Sequence, residues 1–442
     1  MKVIIVGAGL GGLACAISCR REGLDVLLLE RAPKILPIGA GIQVSANASR
    51  IARRLGVLPV LLERAIQPEK LEMRRYDNGS VLYIRPGREN MVQEYGSPWF
   101  VIHRADYHEV MMQEATRLGV KIRLGCTVEG LDFDKSQVLV QDGETLSADV
   151  IIGADGLWST TRELLLGHES PPVETGDLAY RATLSREEIE ALDDPEVKAI
   201  YDRQVVTVWL GPDKHCVFYP ISQGKAYNLV LLRPDNMPAG ARTIQGTVDE
   251  MRLSFEGWDM VLTKILSKIS SVLKWKLCHH EELATWTKGC ITLLGDACHP
   301  TLPYQGQGAA MAVEDGAVLG RLLGLLNSEP LFKGTSTNFI PEILNLYETI
   351  RKSRTTINVQ GATANRFWYH LADGPMQEKR DAALRGGPDS TGWCFLRPDY
   401  WKDLIGFDAV ADAERAFEEW LFQKKKSIQL AEDQKGRPMA QL

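Results

Sequence analysis

The segment KVIIVGAGLGGLACAISCRREGLDVLLLERA, Lys2 to Ala32, decides the fold of this chain. Val3 to Val6 is a continuous apolar run rich in β-branched residues, which is typical of a strand buried inside a parallel sheet. Apolar residues at helical spacing follow it, and a second apolar run, Val26 to Leu29, predicts the next strand. The order strand, helix, strand predicts an α/β domain with a parallel sheet.

Three glycines, Gly7, Gly9 and Gly12, form a G-x-G-x-x-G motif between the first strand and the helix. In such a turn, the middle glycine lets a pyrophosphate approach the helix N-terminus, and the last one lets the helix pack closely. The second strand ends at Glu30, where a carboxylate meets a pair of ribose hydroxyls. This context predicts a Rossmann-like dinucleotide-binding domain rather than a tight turn without a ligand. Arg31 suggests a 2′-phosphate, but Glu30 would repel one, so an FAD-type ribose contact is preferred.

A second motif, ADVIIGADGLWSTTR, runs from Ala148 to Arg162. Its apolar run ends in Asp155 and Gly156, and in isolation it fits a common junction from a strand through a turn to a helix.

The third motif, GDACHPTLPYQGQGAAMAVEDG, runs from Gly295 to Gly316 after an apolar run that ends at Leu294. Asp296 and His299 raise two alternatives, a metal site or a loop that passes close to a large planar ligand. A D-x-x-H pair without a third ligand nearby is a weak metal signal, so no metal site is predicted.

The three motifs, in this order and spacing, resemble the single-component FAD-dependent aromatic hydroxylases, typified by p-hydroxybenzoate hydroxylase and salicylate hydroxylase. LPYQGQGAAMAVEDG is most similar to the salicylate-hydroxylase-like branch, and the resemblance covers about the first three-quarters of the chain. It implies a monooxygenase that binds FAD and uses NAD(P)H and O2. Such an enzyme hydroxylates or epoxidises a phenol, a phenolic acid such as salicylate, or an indole through a flavin C4a-hydroperoxide.

The resemblance also assigns cofactor contacts. Asp296 corresponds to a contact with the ribityl side of FAD, and the helix after it points its N-terminus at the pyrimidine end of the flavin. NAD(P)H docks transiently near Asp155 and Gly156, because the chain has no second nucleotide fingerprint. His299 is then a loop residue beside the cofactor. The predicted cofactor-binding residues are Gly7, Gly9, Gly12, Glu30, Gln43, Arg104, Asp155, Asp296, Gly306, Gly308 and Ala309.

Three catalytic residues are predicted, Arg181, Tyr219 and Pro303. Alternation along DLAYRATL places Arg181 opposite an apolar face. The residues of that face are Leu178, Tyr180, Ala182 and Leu184. The resemblance turns Arg181 toward the flavin C4a edge, matches Tyr219 to a tyrosine that binds substrate phenolate, and places Pro303 in a stiff loop beside the reaction cavity. The alternatives, a rim arginine and a core tyrosine, stay open.

The predicted architecture has three parts. A discontinuous FAD-binding domain comprises residues 1–70, 98–175 and 280–340, and an inserted antiparallel-sheet substrate domain comprises 71–97 and 176–279. In the inserted domain, Asn78 and Gly79 predict a hairpin with a two-residue turn. A C-terminal helical region, 341–442, includes the amphipathic segment DAERAFEEWLFQKKK and a frayed end, QLAEDQKGRPMAQL. This region either covers the pocket or joins a homodimer.

The composition excludes several classes of protein. With 442 residues, 24% charged and 45% hydrophobic, the chain is typical of a soluble globular protein, and its net charge of -6 disfavours a nucleic-acid partner. Eight cysteines without a CxxC pair indicate reduced thiols. The first residues mimic a signal peptide, but glycines interrupt the apolar run, and no run is long enough to span a membrane. A cytoplasmic location is predicted.

Two rival functions stand beside this one. An FAD-dependent halogenase carries a W-x-W-x-I-P segment, and none of the ten tryptophans lies in one. A flavin- or nucleotide-binding regulatory protein without turnover has no positive support but stays open. The substrate is open too, because salicylate requires a cation for its carboxylate, whereas an indole or a polyketide phenol requires a larger apolar pocket.

Overall fold

The computed structural model describes residues 1–35, 39–387, 389 and 391–435. The strands are β1 (Lys2–Val6), β2 (Asp25–Glu30), β3 (Gly41–Val44), β4 (Lys70–Arg75), β5 (Val81–Pro86), β6 (Phe100–His103), β7 (Lys121–Leu124), β8 (Val128–Asp132), β9 (Gln137–Val140), β10 (Thr145–Ser147), β11 (Val150–Gly153), β12 (Val173–Ser185), β13 (Val205–Gly211), β14 (Lys214–Ile221), β15 (Ala226–Pro234), β16 (Thr243–Gly246), β17 (Val272–His279), β18 (Thr287–Lys288) and β19 (Ile291–Leu293). The α-helices are α1 (Leu10–Arg21), α2 (Ala46–Arg54), α3 (Leu58–Arg64), α4 (Arg88–Tyr95), α5 (Arg104–Arg117), α6 (Thr160–Leu166), α7 (Arg186–Glu190), α8 (Pro195–Tyr201), α9 (Val248–Ser254), α10 (Met260–Ser267), α11 (Gly308–Ser328), α12 (Ile340–Tyr369), α13 (Pro375–Leu384), α14 (Pro398–Ile405) and α15 (Ala409–Lys435).

The first sheet has six strands in the order β18-β19-β11-β1-β2-β7. Its neighbouring strands are parallel except for β18 and β19. Val3, Ile4 and Ile5 of β1 are fully buried, as the continuous apolar run predicts. On one face, α1 packs against α11, and a Cβ on Gly316 of α11 would clash with the backbone of Cys15. The prediction of a Rossmann-like parallel sheet is confirmed.

The second sheet has eight strands in the order β16-β17-β12-β15-β14-β13-β4-β5. It is antiparallel, as predicted, except between β13 and β4, which run parallel. The exception arises because the hairpin β4–β5 comes from an earlier segment of the chain and pairs with β13, the outermost of the sheet strands that come from later segments. One face of this sheet packs on α8, α9 and α10, and the other face looks toward the first sheet and the C-terminal helices.

Two local features differ from the predictions. The β4–β5 hairpin is connected by Tyr76 to Ser80 instead of a two-residue turn. The longer loop forms because Asn78 accepts the N–H of Ser80 through its side chain, and Gly79, with φ 66°, donates its N–H to Arg75. A three-stranded meander, β8 to β10, which the sequence did not predict, precedes β11.

Helices α12 to α15 form the C-terminal part of the fold. The segment DAERAFEEWLFQKKK lies within α15, as predicted. Of the predicted frayed end, residues 436–442 lie outside the described residues. No helix in the described part of the chain is both long and apolar enough to cross a membrane.

Candidate active site

A cavity of about 450 Å³ lies between the carboxyl ends of β1, β11 and β19 and one face of the eight-stranded sheet. The carboxyl ends of neighbouring parallel strands meet at one edge of a sheet, which is where α/β proteins bind ligands. The predicted site residues that line this cavity are Gly9, Gly12, Gln43, Arg104, Arg181, Tyr219, Asp296, Pro303, Gly306, Gly308 and Ala309. Gly7, Glu30 and Asp155 are predicted site residues that do not line it.

The three glycines of the first motif are required for different reasons. Gly7 has φ +107°, and a Cβ on it would clash with the carbonyl of Ala154. A Cβ on Gly12 would clash with the carbonyl oxygen of Gly7. A Cβ on Gly9 would meet no atom within 4 Å, and its φ of -69° suits any residue. The protein's own packing therefore explains Gly7 and Gly12, whereas Gly9 leaves space beside the N-terminus of α1 for a group outside the chain.

Glu30 and Asp155 hold local backbone. The carboxylate of Glu30 accepts the N–H of Ala8 at 2.9 Å and the N–H of Ala32 at 2.8 Å. Asp155 accepts the hydroxyl of Ser159 at 2.5 Å and the N–H of Thr161 at 2.9 Å, at the N-terminus of α6. Both carboxylates shape the turns at the cavity edge, and their contacts with a ligand stay predictions.

The third motif supplies an acid and a helix N-terminus to the cavity. Asp296 follows β19, and its side chain lines the cavity, through which solvent reaches it. Protein atoms nevertheless surround the carboxylate and remove most of its water, which raises the pKa of Asp296. The charges of His299 and Arg104 oppose the rise. Gly306 has φ 63°, and α11 begins at Gly308 with its first N–H groups at the cavity. Pro303 opens the short turn that precedes them.

His299 does not lie beside this cavity, which corrects its predicted position. Its ring is buried, and its Nε2 lies 2.6 Å from Oδ2 of Asp315 in α11. Asp315 also accepts the N–H of Gly295 at 2.9 Å and the Nε–H of Arg351 in α12 at 2.7 Å. Burial raises the pKa of Asp315, but the charges of His299 and Arg351 outweigh it and hold the pKa at about 2. This buried network fixes the third motif against α11 and α12.

Metal binding finds no geometric basis in this loop. Within residues 1–35, 39–387, 389 and 391–435, no group of three or more His, Cys, Asp or Glu side chains is arranged to hold a metal ion. One ring nitrogen of His299 is hydrogen-bonded to Asp315, whereas the side chain of Asp296 lines the cavity, so the two side chains do not form a joint metal site.

Arg181 lies on the opposite wall of the cavity. The residues on either side of it in β12, Tyr180 and Ala182, are buried in the core on the far face of the sheet, as the alternation of side chains along a strand predicts. Its guanidinium lies 5.0 Å from the ring centroid of Trp275, and no described residue accepts a hydrogen bond from it. Burial lowers the pKa of Arg181, Tyr219 opposes this, and Arg104 adds to it. Arg181 is thus a cation at the cavity that contacts the ring of Trp275 and donates no hydrogen bond to a described residue.

Strand β14 contributes a row of side chains to the same wall. Alternation turns His215, Val217 and Tyr219 to the cavity and Cys216 and Phe218 to the far core. Burial raises the pKa of Tyr219, while the charge of Arg181 and the neighbouring side chain of Asn228 oppose the rise. Sequence reasoning missed His215, although its spacing of four residues from Tyr219 on one strand was a usable signal.

Comparisons with known proteins identify the family. A profile of the FAD binding domain family matches residues 1–360. The chain belongs to this family. It is 41% identical over 428 residues, 94% of this chain and 97% of the relative, to the FAD-dependent monooxygenase OpS4 of Beauveria bassiana (strain ARSEF 2860). It is 34% identical over 384 residues, 85% of this chain and 93% of the relative, to 6-hydroxynicotinate 3-monooxygenase of Pseudomonas fluorescens.

A solved structure agrees with these relatives. The protein resembles a salicylate hydroxylase substrate complex with a TM-score of 0.77 and 25% sequence identity, over 94% of this chain and 98% of that one. This family member is therefore an FAD-dependent monooxygenase, and the predictions of family, fold, enzyme class and FAD are confirmed. The comparisons support neither the halogenase nor the regulatory protein.

The cavity fits FAD on its own geometry. The open space at Gly9 admits a pyrophosphate to the N-terminus of α1, and the N-terminus of α11 faces the same cavity. The guanidinium of Arg181, which donates no hydrogen bond to a described residue, lies on the opposite wall. A large group with an anionic middle and a polar ring edge matches this arrangement.

Proposed function

We propose that the enzyme uses NAD(P)H and O2 to hydroxylate an aromatic ring that carries a phenol group. One observation carries the proposal. The same cavity is bounded by a wall of glycines and helix N-termini and by a wall that holds Arg181, His215 and Tyr219. The first wall suits a nucleotide cofactor, and the second offers a cation and two neutral hydrogen-bonding groups to a small ring.

The first wall holds FAD. The N-terminus of α1 beside Gly9 would hold the pyrophosphate, and Glu30 would bind the adenosine ribose. Arg104, Gln43 and Asp296 would hold the middle of the cofactor, and the N–H groups of Gly308 and Ala309 would stabilise charge on the ring. When bound, FAD supplies electron transfer from NAD(P)H to O2 and the transfer of one oxygen atom to the ring. NAD(P)H docks transiently near Gly156, which lines the cavity.

The second wall receives the substrate. Apolar side chains of Val217, Val230 and Leu232 face the ring and exclude water. Neutral His215 and Tyr219 hydrogen-bond the phenol group, since burial lowers the pKa of His215 and raises the pKa of Tyr219. Arg181 either orients the reacting oxygen or pairs with a carboxylate, so phenols and phenolic acids both fit.

The relatives support this class of substrate. By their names, one relative acts on 6-hydroxynicotinate, and another, 31% identical over 395 residues, is 3-hydroxybenzoate 6-hydroxylase 1 of Aquipseudomonas alcaligenes. Both of these substrates are hydroxylated aromatic acids. An indole would leave the polar groups of this wall without a matching hydroxyl.

The test is a screen of the FAD-loaded protein with NADH and NADPH against phenols, phenolic acids and indoles. Phenol-dependent NAD(P)H oxidation and a product that gains one oxygen atom from labelled O2 are expected. Acid precipitation should release FAD and not FMN. NAD(P)H oxidation that forms only hydrogen peroxide with every compound, or oxidation of indoles alone, would contradict the proposal.

A further inference from the structure

Trp275, on β17, is the cross-strand neighbour of Arg181 that contacts its guanidinium. In the register of β12 and β17, Trp275 lies opposite Ala179, and Leu273 lies opposite Arg181. Trp275 is thus a diagonal neighbour of Arg181, within the reach of aromatic and long side chains. The central guanidinium carbon of Arg181 lies 5.0 Å from the centroid of the Trp275 ring. Arg181 lines the active-site cavity and Trp275 does not, so the ring influences the cavity through Arg181.

The two side chains lie on the same face of the eight-stranded sheet. Leu277, two residues after Trp275, packs in the core on the face that looks toward the six-stranded sheet. Lys274, next to Trp275, extends to the other face, where its Nζ lies 5.6 Å from the ring centroid of Tyr180. Alternation along both strands therefore turns the cation of Arg181 and the indole ring to the active-site side.

The position of the guanidinium has little other support. No described residue accepts a hydrogen bond from Arg181. Burial lowers the pKa of Arg181, Tyr219 opposes this, and the like charge of Arg104 lowers the pKa further. Arg104 lines the same cavity, so it repels the guanidinium across it. The contact with the ring of Trp275 favours the charged form and counters both effects.

Trp275 contributes the face of its ring and not its N–H group. Its Nε1 is buried and donates no hydrogen bond to a described residue. A buried tryptophan usually engages this group, because leaving it without a partner costs free energy. Indole is the side chain that attracts cations most strongly over its face, and the attraction grows as the pair loses water. The position of Trp275 is therefore better explained by Arg181 than by hydrogen bonding.

We propose that Trp275 is a positioning residue, whose ring face holds the guanidinium of Arg181 at the place where it serves the reaction. This role rests on the proposed function, because it is Arg181 that orients the reacting oxygen or pairs with a carboxylate. Without the ring, the side chain of Arg181 is free to leave this position. Its charge then no longer acts at one fixed point, although the FAD wall and the cavity are unchanged.

The experiment compares four variants of the FAD-loaded protein. Trp275→Phe keeps an aromatic face, and Trp275→Leu removes it but keeps an apolar side chain. Leu273→Ala is the matched control, because it shortens a 40% exposed side chain directly opposite Arg181 on the same strand as Trp275. The fourth protein combines Trp275→Leu with Arg181→Ala. Product formed per NAD(P)H consumed, kcat and KM are measured for each with the best phenol substrate.

Trp275→Leu should lower product formed per NAD(P)H about tenfold, which lies in the range of a cation–π contact. It should lower kcat more than it raises KM, and Leu273→Ala should match wild type. Trp275→Phe should stay within about threefold of wild type, because a phenyl face attracts cations more weakly than indole. The combined variant should equal Arg181→Ala, since Trp275 acts through that residue. Equal losses in Trp275→Phe and Trp275→Leu, or a further loss in the combined variant, would overturn the role.

NMR of FAD-loaded protein with 15N-labelled arginine tests the contact without substrate. The Nε–H signal of Arg181 is assigned by its absence from Arg181→Ala. Its order parameter should be high in wild type and in Trp275→Phe, and should fall below about 0.6 in Trp275→Leu. An unchanged order parameter in Trp275→Leu would overturn the role of Trp275 whatever the substrate is. Failure of the proposed function gives a different result, since wild type would then form no product from any phenol while this signal still responds to Trp275→Leu.

Discussion

The wall of the cavity that the six-stranded sheet contributes combines glycines and helix N-termini with one acidic side chain, Asp296, whereas cationic, aromatic and apolar side chains form the wall that the eight-stranded sheet contributes. Gly9, Gly308 and Ala309 present backbone on the first wall. Arg181, His215 and Tyr219 present an ion and hydrogen-bonding groups on the second. Exposed main chain suits a cofactor that is the same in every turnover. The side chains of the second wall, in contrast, can be replaced by substitution to fit another substrate without a change in the sheet.

The sharpest test of the first wall compares Gly12→Ala with Gly9→Ala. The Cβ of Gly12→Ala would clash with the carbonyl oxygen of Gly7, so the free energy of unfolding should fall by about 4 kcal/mol with or without FAD. The Cβ of Gly9→Ala meets no protein atom within 4 Å, so the stability of the apoprotein should hold within about 0.5 kcal/mol. Its affinity for FAD should nevertheless fall about 100-fold, or about 2.7 kcal/mol.

Denaturant unfolding of apoprotein and fluorescence titration with FAD measure the two effects separately. Equal loss of stability in both glycine variants would show that the first wall is shaped by packing alone. Unchanged FAD affinity in Gly9→Ala would place the cofactor elsewhere.

On the second wall, Arg181→Ala should have the largest effect. A fixed charge in a water-poor cavity contributes about 3–4 kcal/mol to a transition state, or about a hundredfold in rate or more. Arg181→Ala should keep FAD and its fold, lose product by about this factor, and divert NAD(P)H oxidation to hydrogen peroxide. Arg181→Lys should recover little product formation, because the ammonium group on the flexible side chain of lysine does not replace the planar guanidinium of arginine.

Product formed per NAD(P)H consumed is the measurement for Arg181. Arg233, on β15 and outside the cavity lining, provides a matched control as Arg233→Ala. Unchanged coupling in Arg181→Ala would make this residue a rim arginine.

The difference between the walls also explains what the sequence reveals. Glycine spacing and strand alternation are local, so the first motif and the direction of Arg181 were predictable. His299 was misplaced because its partner, Asp315, lies in the next helix, 16 residues away. The side of β14 on which His215 lies was predictable from its spacing to Tyr219, but its contact with His370, which follows α12 and lies 155 residues away, was not. Contacts between distant segments depend on registers that one sequence does not display.

The pH dependence of stability tests the environment of the second wall. The pKa of His370 falls from an ordinary 6.5 to about 4 in the folded protein, so between these pH values the unfolded chain binds more protons. The free energy of unfolding therefore falls as pH falls from 6.5 to 4, by about 3 kcal/mol for this residue. His215, whose pKa is also lowered, acts in the same direction.

Denaturant unfolding of wild type and of His370→Gln at several pH values between 4 and 6.5 measures whether the free energy of unfolding falls as pH falls. His370→Gln should have a flatter profile. An equally steep profile in both proteins would mean that His370 carries its ordinary pKa in the folded state.

On the first wall, Asp296→Asn keeps the shape of the side chain and removes its charge. Hydrogen bonds to charged groups contribute about 1.5–3 kcal/mol, so FAD affinity should fall about thirtyfold. His299→Gln is the control, because His299 faces Asp315 and not the cavity. It should lose stability yet bind FAD as wild type does. Loss of activity to a chelator, restored by zinc or iron, would instead favour a metal site at this loop.

The smallest expected effect belongs to Tyr219→Phe, which removes one hydroxyl from the second wall. The ring should stay in place, because it packs against Gly41 of β3, whose N–H donates to Asn228 at 2.8 Å. FAD affinity should therefore not change. The affinity for a phenol should fall about fivefold, close to the 1 kcal/mol of a typical hydrogen bond. Phe218→Leu, on the opposite face of β14, should lower stability and leave phenol binding unchanged. If Tyr219→Phe behaves like Phe218→Leu in both measurements, Tyr219 is a core tyrosine, and His215 alone recognises the phenol group.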